Sequence, residues 1–179
     1  MASTLTVDNI VGATTANKIH IPGGVIQVIQ AIRTDADSES LAVGAFSAAI
    51  LSAAITPQKT TSKILVLCNL HITTGTATAG SAALLRRGGT DIGIGDASGS
   101  AVRATGGGFG GAVSNRMHSN IAMTILDSPS TTSEITYTAH GKHGYNTTQL
   151  LYWNREQVSV TSGANSRVSS TLTLMEIGQ

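Results

Sequence analysis

Two closely spaced histidines, His140 and His143, have the spacing that comes nearest to a metal site in this chain. A zinc ion usually takes three or four protein ligands, and no Cys, His or carboxylate pair at ligand spacing accompanies them. The other histidines, His20, His71 and His118, stand singly among polar residues, which is typical of surface histidines or of histidines with satisfied hydrogen bonds rather than of metal ligands. The sequence therefore predicts a hairpin loop at 140–143 and no metal. The alternative is an ion on a symmetry axis, held by one histidine from each of three chains.

A glycine run at 106–111, interrupted by Phe109, contains the pattern of a dinucleotide-binding loop. Such a loop needs a preceding strand, a helix that opens on its third glycine and an acidic residue about 20 positions later. Here the chain continues as AVSNRMHSNIAMTI, which has the pattern of another strand. We therefore expect no cofactor, and interpret the glycines as a flexible loop or as a close backbone approach at a subunit contact.

Hydrolytic chemistry needs two facing carboxylates, or a nucleophile with a base and an orienting group. The acidic residues have turn-like positions instead. They are Asp35, Asp37 and Glu39 in one expected loop, Asp91 and Asp96 around a Gly-Ile-Gly stretch, and Asp127 at a turn. The sequence also lacks the GxSxG elbow of serine hydrolases. These features predict that the protein is not an enzyme.

Arg86, Arg87 and Arg103 are the most concentrated positive charges. The structural interpretation pairs them with Asp91, Asp96 or a carboxylate of another chain, and the functional one brings them to anionic surface glycans.

The aromatic residues Tyr145, Tyr152 and Trp153 can form a platform on which a sugar stacks. In the run YNTTQLLYWNR only one of Tyr152 and Trp153 can face inward, because neighbouring strand residues point to opposite faces. At least one of these aromatics is therefore expected in the core or in an interface.

The composition fits one domain that carries an arm, since a chain of 179 residues buries roughly 70% of the surface that its unfolded form exposes. The formal net charge is +1 and only 12% of the residues are charged, which leaves no basic stripe for nucleic acid. A surface so poor in charge suits burial against copies of the same chain.

The single cysteine, Cys68, lies in the apolar run ILVLCNL, where a small buried side chain is expected rather than a reactive thiol. No apolar run approaches the roughly 20 residues that span a bilayer, and no charged leader precedes an apolar stretch. We therefore expect synthesis in a cytoplasm and no membrane insertion.

The pattern from residue 25 onward predicts an all-β fold, because β-branched residues alternate with polar ones between turn-forming clusters. The expected strands are 25–32, most of 41–54, 63–73, 81–87, 90–94, 117–126, 133–140, 148–153, 157–161 and 168–177. Short strands at this spacing indicate a sandwich or jelly roll. The alanine-rich segment 41–54 also has helical propensity, but Ser, Gly and the following Pro57 favour a strand.

Two strands show clear alternation. In 63–73, one face carries Ile64, Val66, Cys68, Leu70 and Ile72, and the other begins apolar and becomes polar. In 133–140, Ile135, Tyr137 and Ala139 share one face, opposite a polar one. The first strand is expected between two layers, and the second with one buried and one wet face.

The N-terminal segment has no sustained helical or strand period, and it is expected to take its shape from what it touches. Its larger aliphatic residues, which can anchor such contacts, are Leu5, Val7, Ile10 and Val11. Each contributes about 1.5–3 kcal/mol when fully buried. We predict an attachment arm at 1–23 and a domain at 24–179; the alternative is a disordered tail.

The leader STLTVDNIVGATTANKI and the closing run SSTLTLMEIGQ resemble segments of fibre and head-surface proteins of marine tailed bacteriophages. The stretches SAAITPQKTTSKILVLCNL, LLRRGGTDIGIGDASGS and LDSPSTTSEITYTAHGK resemble the strands and loops of their knob domains. The resemblance implies a homotrimer of jelly rolls, similar in architecture to tumour necrosis factor, with the arm docked on capsid or tail proteins at the virion surface.

The resemblance implies a virion structural protein that decorates or stabilises the particle, since no stalk separates arm from knob. The alternative is a fibre adhesin whose knob loops, 95–111 and 140–147, bind a host receptor or glycan. The residues expected in such loops are Arg103, Phe109, His140, His143 and Tyr145.

Overall fold

The computed structural model describes residues 23–75, 80–108, 118–158, 163 and 165–179, and the regular elements in these ranges are all β-strands. The strands are β1 (Val25–Arg33), β2 (Asp37–Leu41), β3 (Leu51–Ile55), β4 (Lys63–Thr74), β5 (Ser81–Arg87), β6 (Thr90–Ile92), β7 (Gly106–Gly108), β8 (Ser119–Asp127), β9 (Ile135–His143), β10 (Gln149–Trp153) and β11 (Ser170–Ile177). They form two antiparallel sheets around one core, as in a β-sandwich. The all-β prediction is confirmed.

The first sheet is organised around the long strand β4. One edge of β4 pairs with β11 along residues 63–69 and with β10 along residues 72–74. The other edge of β4 pairs with β8. β1 extends the sheet past β11, and β2 extends it past β10. The sheet is therefore bordered by β1 and β2 on one side and by β8 on the other.

The second sheet has the order β3, β9, β5, followed by two short strands. β6 pairs with the end of β5 at Leu85–Arg87, and β7 pairs with its start at Ser81–Ala83. Both short strands lie along the edge of β5 that faces away from β9.

The core lies between the sheets and follows the predicted alternation. Ile64, Val66, Cys68, Leu70 and Ile72 of β4 are each at most 2% exposed. They pack in one cluster with apolar residues of the second sheet, among them Tyr137 and Ala139 of β9. Burial of this apolar surface, at about 25 cal/mol per Å², is the main stabilising contribution.

The prediction for 41–54 is correct only at its ends. Leu41 closes β2 and Leu51–Ile55 forms β3, whereas 42–50 is an irregular connection. Gly44, with φ of +77°, turns the chain there. Backbone bonds from Ser47 N to Gly141 O and from Ile50 N to Ala139 O then guide the connection onto β9.

Two further predictions are wrong. Asp37 and Glu39 lie in edge strand β2 and not in a loop, because the polar segment DSESL pairs along the whole of β10. Residues 157 and 158 are outside any strand: Gln157 Nε2 donates to Gly75 O, and Val158 O accepts from Asn165 Nδ2. Residues 159–161 fall outside the described residues. The other expected strands are found with ends shifted by a few residues.

Candidate functional site

His140 and His143 lie within β9, so the prediction of a hairpin loop at 140–143 is wrong. The ladder between β9 and β5 continues until His143 faces Ser81, which keeps these residues in the sheet. Both side chains are buried, at 7% and 1% exposure. In the subunit described here they present no imidazole to a ligand in solvent.

The two imidazoles hold the connection between β2 and β3 against the second sheet. His140 Nδ1 lies 2.9 Å from Ser47 O, and His143 Nε2 lies 3.0 Å from Leu41 O. Because a carbonyl oxygen only accepts, each of these nitrogens donates its proton. Burial lowers the pKa of His140, and its uncharged ring accepts from the Thr138 hydroxyl at Nε2 (2.9 Å).

Tyr145 is the second residue of the short loop after β9 and is half-buried. Its backbone N–H donates to His143 Nδ1 at 3.2 Å, and the neighbouring Gly144 N–H donates to Gly80 O at 2.7 Å. The structure therefore brings Tyr145 and His143 together and ties this loop to the start of β5.

Arg103 lies in a separate loop, 93–105, between β6 and β7. Its Nε donates to Gly95 O at 2.5 Å, and Gly95 N–H donates to Ala104 O, so the loop is folded on itself. Most of its residues are exposed. The loop leaves the edge of β5 that faces away from β9, which separates Arg103 from the histidines. Phe109 lies outside the described residues, as do Leu5, Val7, Ile10 and Val11 of the arm and His20.

The glycines at 106–108 form strand β7 rather than a loop. A Cβ on Gly108 would lie 2.7 Å from Ser81 Oγ, and one on Gly106 would lie 2.9 Å from a side-chain carbon of Ile121. These glycines therefore let β7 approach side chains of β5 and β8 within the chain, rather than form the predicted flexible loop. Residues 109–111 fall outside the described ranges.

The arginine and aromatic side chains have structural partners in this subunit. Arg86 pairs with Asp91 at 2.8 Å, as one interpretation of the sequence expected. Trp153 joins the core and Tyr152 is covered by the guanidinium of Arg155, 4.6 Å from the ring centre. Because both rings are buried, neither offers a stacking face to a sugar here.

A polar cluster that the sequence did not reveal lies under the described parts of the β10–β11 connection, residues 154–158 and 165–169. Glu156 is 5% exposed and accepts from Asn165 Nδ2 at 2.7 Å and from Ser166 N at 3.1 Å. Its Oε1 lies 3.7 Å from His118 Nε2. Thr73 donates to Arg155 O, which fastens the connection over the outer side of the first sheet.

The histidines of this cluster are kept uncharged by their surroundings. Burial lowers the pKa of His118, although the carboxylate of Glu156 and the backbone of Ser166 oppose the shift. Burial also lowers the pKa of His71, and the proximity of His118 adds to the effect. Within the described ranges, no three His, Cys, Asp or Glu side chains form a group that could hold a metal ion.

Asn154 anchors the start of this connection and is completely buried. Its φ of +58° lies in the left-handed region, which Asn tolerates better than most residues. Its amide donates to Arg33 O and Asp35 O, both at 2.9 Å, and accepts from Ser170 Oγ at 2.7 Å. These bonds bring together the ends of β1, β10 and β11, and the sequence signalled only a turn.

No protein-family model matches the chain, and no curated protein matches it. In the part of the chain that the structure covers, no helix is long and apolar enough to cross a membrane.

Proposed function

We propose that this protein is a structural component of a tailed-bacteriophage virion, which decorates or stabilises the particle surface as a homotrimer held by its N-terminal segment. The proposal starts from the resemblance of the leader and the C-terminal run to phage surface proteins. In this proposal the sandwich is the knob, residues 1–23 dock on a capsid or tail protein, and no catalytic step is involved.

We also propose that the sandwich is a jelly roll, and the order of strand pairing supports this. With β6 and β7 counted as one strand and β2 and β10 as additions, the first sheet has the order first, eighth, third and sixth along the chain. The second sheet has the order second, seventh, fourth and fifth. Such an order arises when a long antiparallel pair rolls up into two Greek keys.

The observation that supports the attachment role is a pair of hydrogen bonds at the point where the N-terminal segment joins the sandwich. Gly23 N–H donates to Gly178 O at 2.7 Å, and Gly178 N–H donates to Gly24 O at 2.9 Å. This pair of bonds fixes Gly23, the first residue that the structure describes, at one end of the sandwich beside β1 and β11. An attachment arm needs such a fixed exit.

Deletion of residues 1–22 tests the attachment role. Gly23 and its bonds stay, so the truncated chain should keep its circular dichroism spectrum and its assembly state. It should no longer be incorporated into particles of the phage whose genome encodes it, as judged by immunoblot of purified virions and a density map. Incorporation at the level of the full chain would overturn the arm, and absence of the full chain from virions would overturn the function.

A second candidate is adhesion to a host glycan through loop 93–105, which the exposure of this folded loop favours. Binding of the purified protein to host cells or to a glycan array, lost on Arg103→Ala, would support it. Uniform absence of binding would exclude it and leave decoration as the role.

A further inference from the structure

The outer face of the first sheet carries a row of apolar side chains across its strands. The register aligns Val28 of β1 with Met175 of β11, Met175 with Leu65 of β4, and Leu65 with Leu126 of β8. Directly paired residues of antiparallel strands point to the same side of a sheet. The core-facing residues of β4 are its even-numbered ones, so this row points away from the core.

The next rows on this face are uncharged as well. They are Gln30, Thr173, Leu67 and Thr124, followed by Ile32, Thr171, Asn69 and Ala122. Gln30 Nε2 donates to Thr173 Oγ1 at 2.8 Å, which agrees with their sharing a face. We name these three rows the outer face. Beyond them, toward His71, the β10–β11 connection covers the sheet.

The outer face is open in the subunit described here. Val28 is 52% exposed, Leu126 is 54% exposed and Ile32 is 60% exposed. These are among the large hydrophobic side chains most exposed in the described ranges. Contiguous apolar surface of this kind in a folded protein usually marks a contact with another macromolecule.

The edge of β1 that faces away from β11 pairs with no other strand of the described ranges, and this free edge gives a second, independent indication. Natural edge strands are usually short, or protected by charged residues or proline, because their unpaired N–H and C=O groups attract other strands. β1 is nine residues long with the sequence VIQVIQAIR, and its first charge comes at Arg33. An edge so poorly protected is expected to be covered in the assembled protein.

We propose that a second copy of this chain covers the outer face together with the free edge of β1. A copy fits because only 12% of its residues are charged, so it can offer another uncharged surface. An anionic lipid surface, a nucleic acid or a strongly charged protein would find no complementary charge on these rows and would lose hydration on binding.

The area of the outer face supports the inclusion of the free edge of β1 in the proposed interface. Strands about 4.8 Å apart and rows about 6.8 Å apart give the outer face roughly 400 Å². A stable interface takes about 800 Å² from each partner. The outer face alone is therefore too small, and the free edge of β1, with the exposed Val25 at its start, borders it and extends the contact.

Lysine substitutions on the full chain test this surface. Val28→Lys and Leu126→Lys place a charge on side chains that are more than half exposed in the subunit, so each variant should fold. Val43→Lys is the matched control, since Val43 is 59% exposed but lies in the turn after β2. Light scattering coupled to size exclusion gives the mass, and circular dichroism confirms the fold.

We expect the wild type and Val43→Lys to have a multiple of the 18.2 kDa subunit mass. Val28→Lys and Leu126→Lys should raise the concentration of half-assembly by about tenfold or more, because assembly would bury the new ammonium group against an uncharged surface without a partner. Hydrogen exchange in β1 should be slow in the wild type and fast in these two variants.

This inference rests on the self-assembly in the proposed function, and the outcomes separate the two. A wild type that is monomeric at every concentration overturns both the trimer and the interface. An assembled wild type whose mass is unchanged by Val28→Lys and Leu126→Lys, with β1 amides that exchange fast, overturns the interface alone. Loss of assembly in Val43→Lys to the same extent would also overturn it.

Discussion

The hydroxyl of Tyr137 donates a hydrogen bond to the carboxylate of Asp127 at 2.7 Å, and this bond joins the two sheets. Tyr137 belongs to β9 in the second sheet, and Asp127 ends β8 in the first. Arg87 of β5 donates to the same carboxylate at 2.8 and 2.9 Å. Burial and the adjacent Asp127 raise the pKa of Tyr137, so the phenol stays protonated at neutral pH and donates this bond.

Asp127→Ala should destabilise the protein by about 2–4 kcal/mol, because it leaves the buried phenol of Tyr137 without an acceptor and Arg87 without a counter-charge. The matched control is Asp91→Ala, which removes the more exposed partner of Arg86 and should cost less than about 1 kcal/mol. Urea denaturation followed by circular dichroism measures both free energies of unfolding. Equal losses in the two variants would contradict a special role for Asp127.

Gly108→Ala should lower the free energy of unfolding by about 1–3 kcal/mol, since the added Cβ would press on Ser81 and Ile121. Gly107→Ala is the control: its Cβ would point the other way and come no closer than 4.0 Å to any atom. That variant should be unchanged or more stable by up to about 1 kcal/mol, because alanine restricts the unfolded chain. Thermal denaturation distinguishes them, and equal stability would refute the close packing of β7 against β8.

Stability should fall on acidification below about pH 6.5. Burial lowers the pKa of His71, His118 and His140 in the folded protein. The unfolded chain therefore binds protons that the folded chain does not, and the free energy of unfolding decreases as pH falls through 6.5 and is level above it.

Urea denaturation at pH 5.5, 6.5 and 7.5 measures this dependence. His140→Gln removes one titrating ring and keeps a donor for Ser47 O. The free energy of unfolding should therefore change less between pH 5.5 and 6.5 than it does in the wild type. A wild type that is more stable at pH 5.5 than at 7.5 would contradict the attribution of the pH dependence to these three histidines. A variant in which the free energy of unfolding depends on pH as in the wild type would show that His140 does not contribute.

Cys68 should resist thiol reagents until the protein unfolds. The side chain is 2% exposed, and burial raises its pKa to about 12 from an ordinary value of 9.0. At a given pH the folded protein then holds about a thousandfold less thiolate than the unfolded chain. Absorbance with a disulfide reagent should show slow labelling in buffer and complete labelling in urea, with Cys68→Ala as the blank. Rapid labelling in buffer would contradict the burial.

The fold was predictable where side chains alternate. β4 and β9 could be recognised because one face of each is apolar, and burial of that face fixes the register. β2 could not be recognised, because its sequence DSESL has no apolar face and becomes a strand only by pairing with β10. The irregular conformation of residues 42–50 is likewise fixed by tertiary contacts with β9. The alanine-rich composition of this segment does not encode those contacts.

The candidate site was less predictable, since its polar side chains bind backbone groups far away in the sequence. His140 and Ser47 are 93 positions apart, and Asn154 and Arg33 are 121 positions apart. No spacing rule relates such partners, so His140 was expected in a loop and Asn154 was seen only as part of a turn. The apolar row from Val28 to Leu126 also required the register, because its residues come from strands distant in sequence.

The bond between Gly23 and Gly178 has a consequence for engineering. A fluorescent protein fused behind Gln179 would emerge about one strand spacing from Gly23, where its bulk would crowd the partner that the proposed attachment arm binds. Cargo for display is better inserted at the exposed tip of the 93–105 loop, which lies beside β6 and β7 and away from β1.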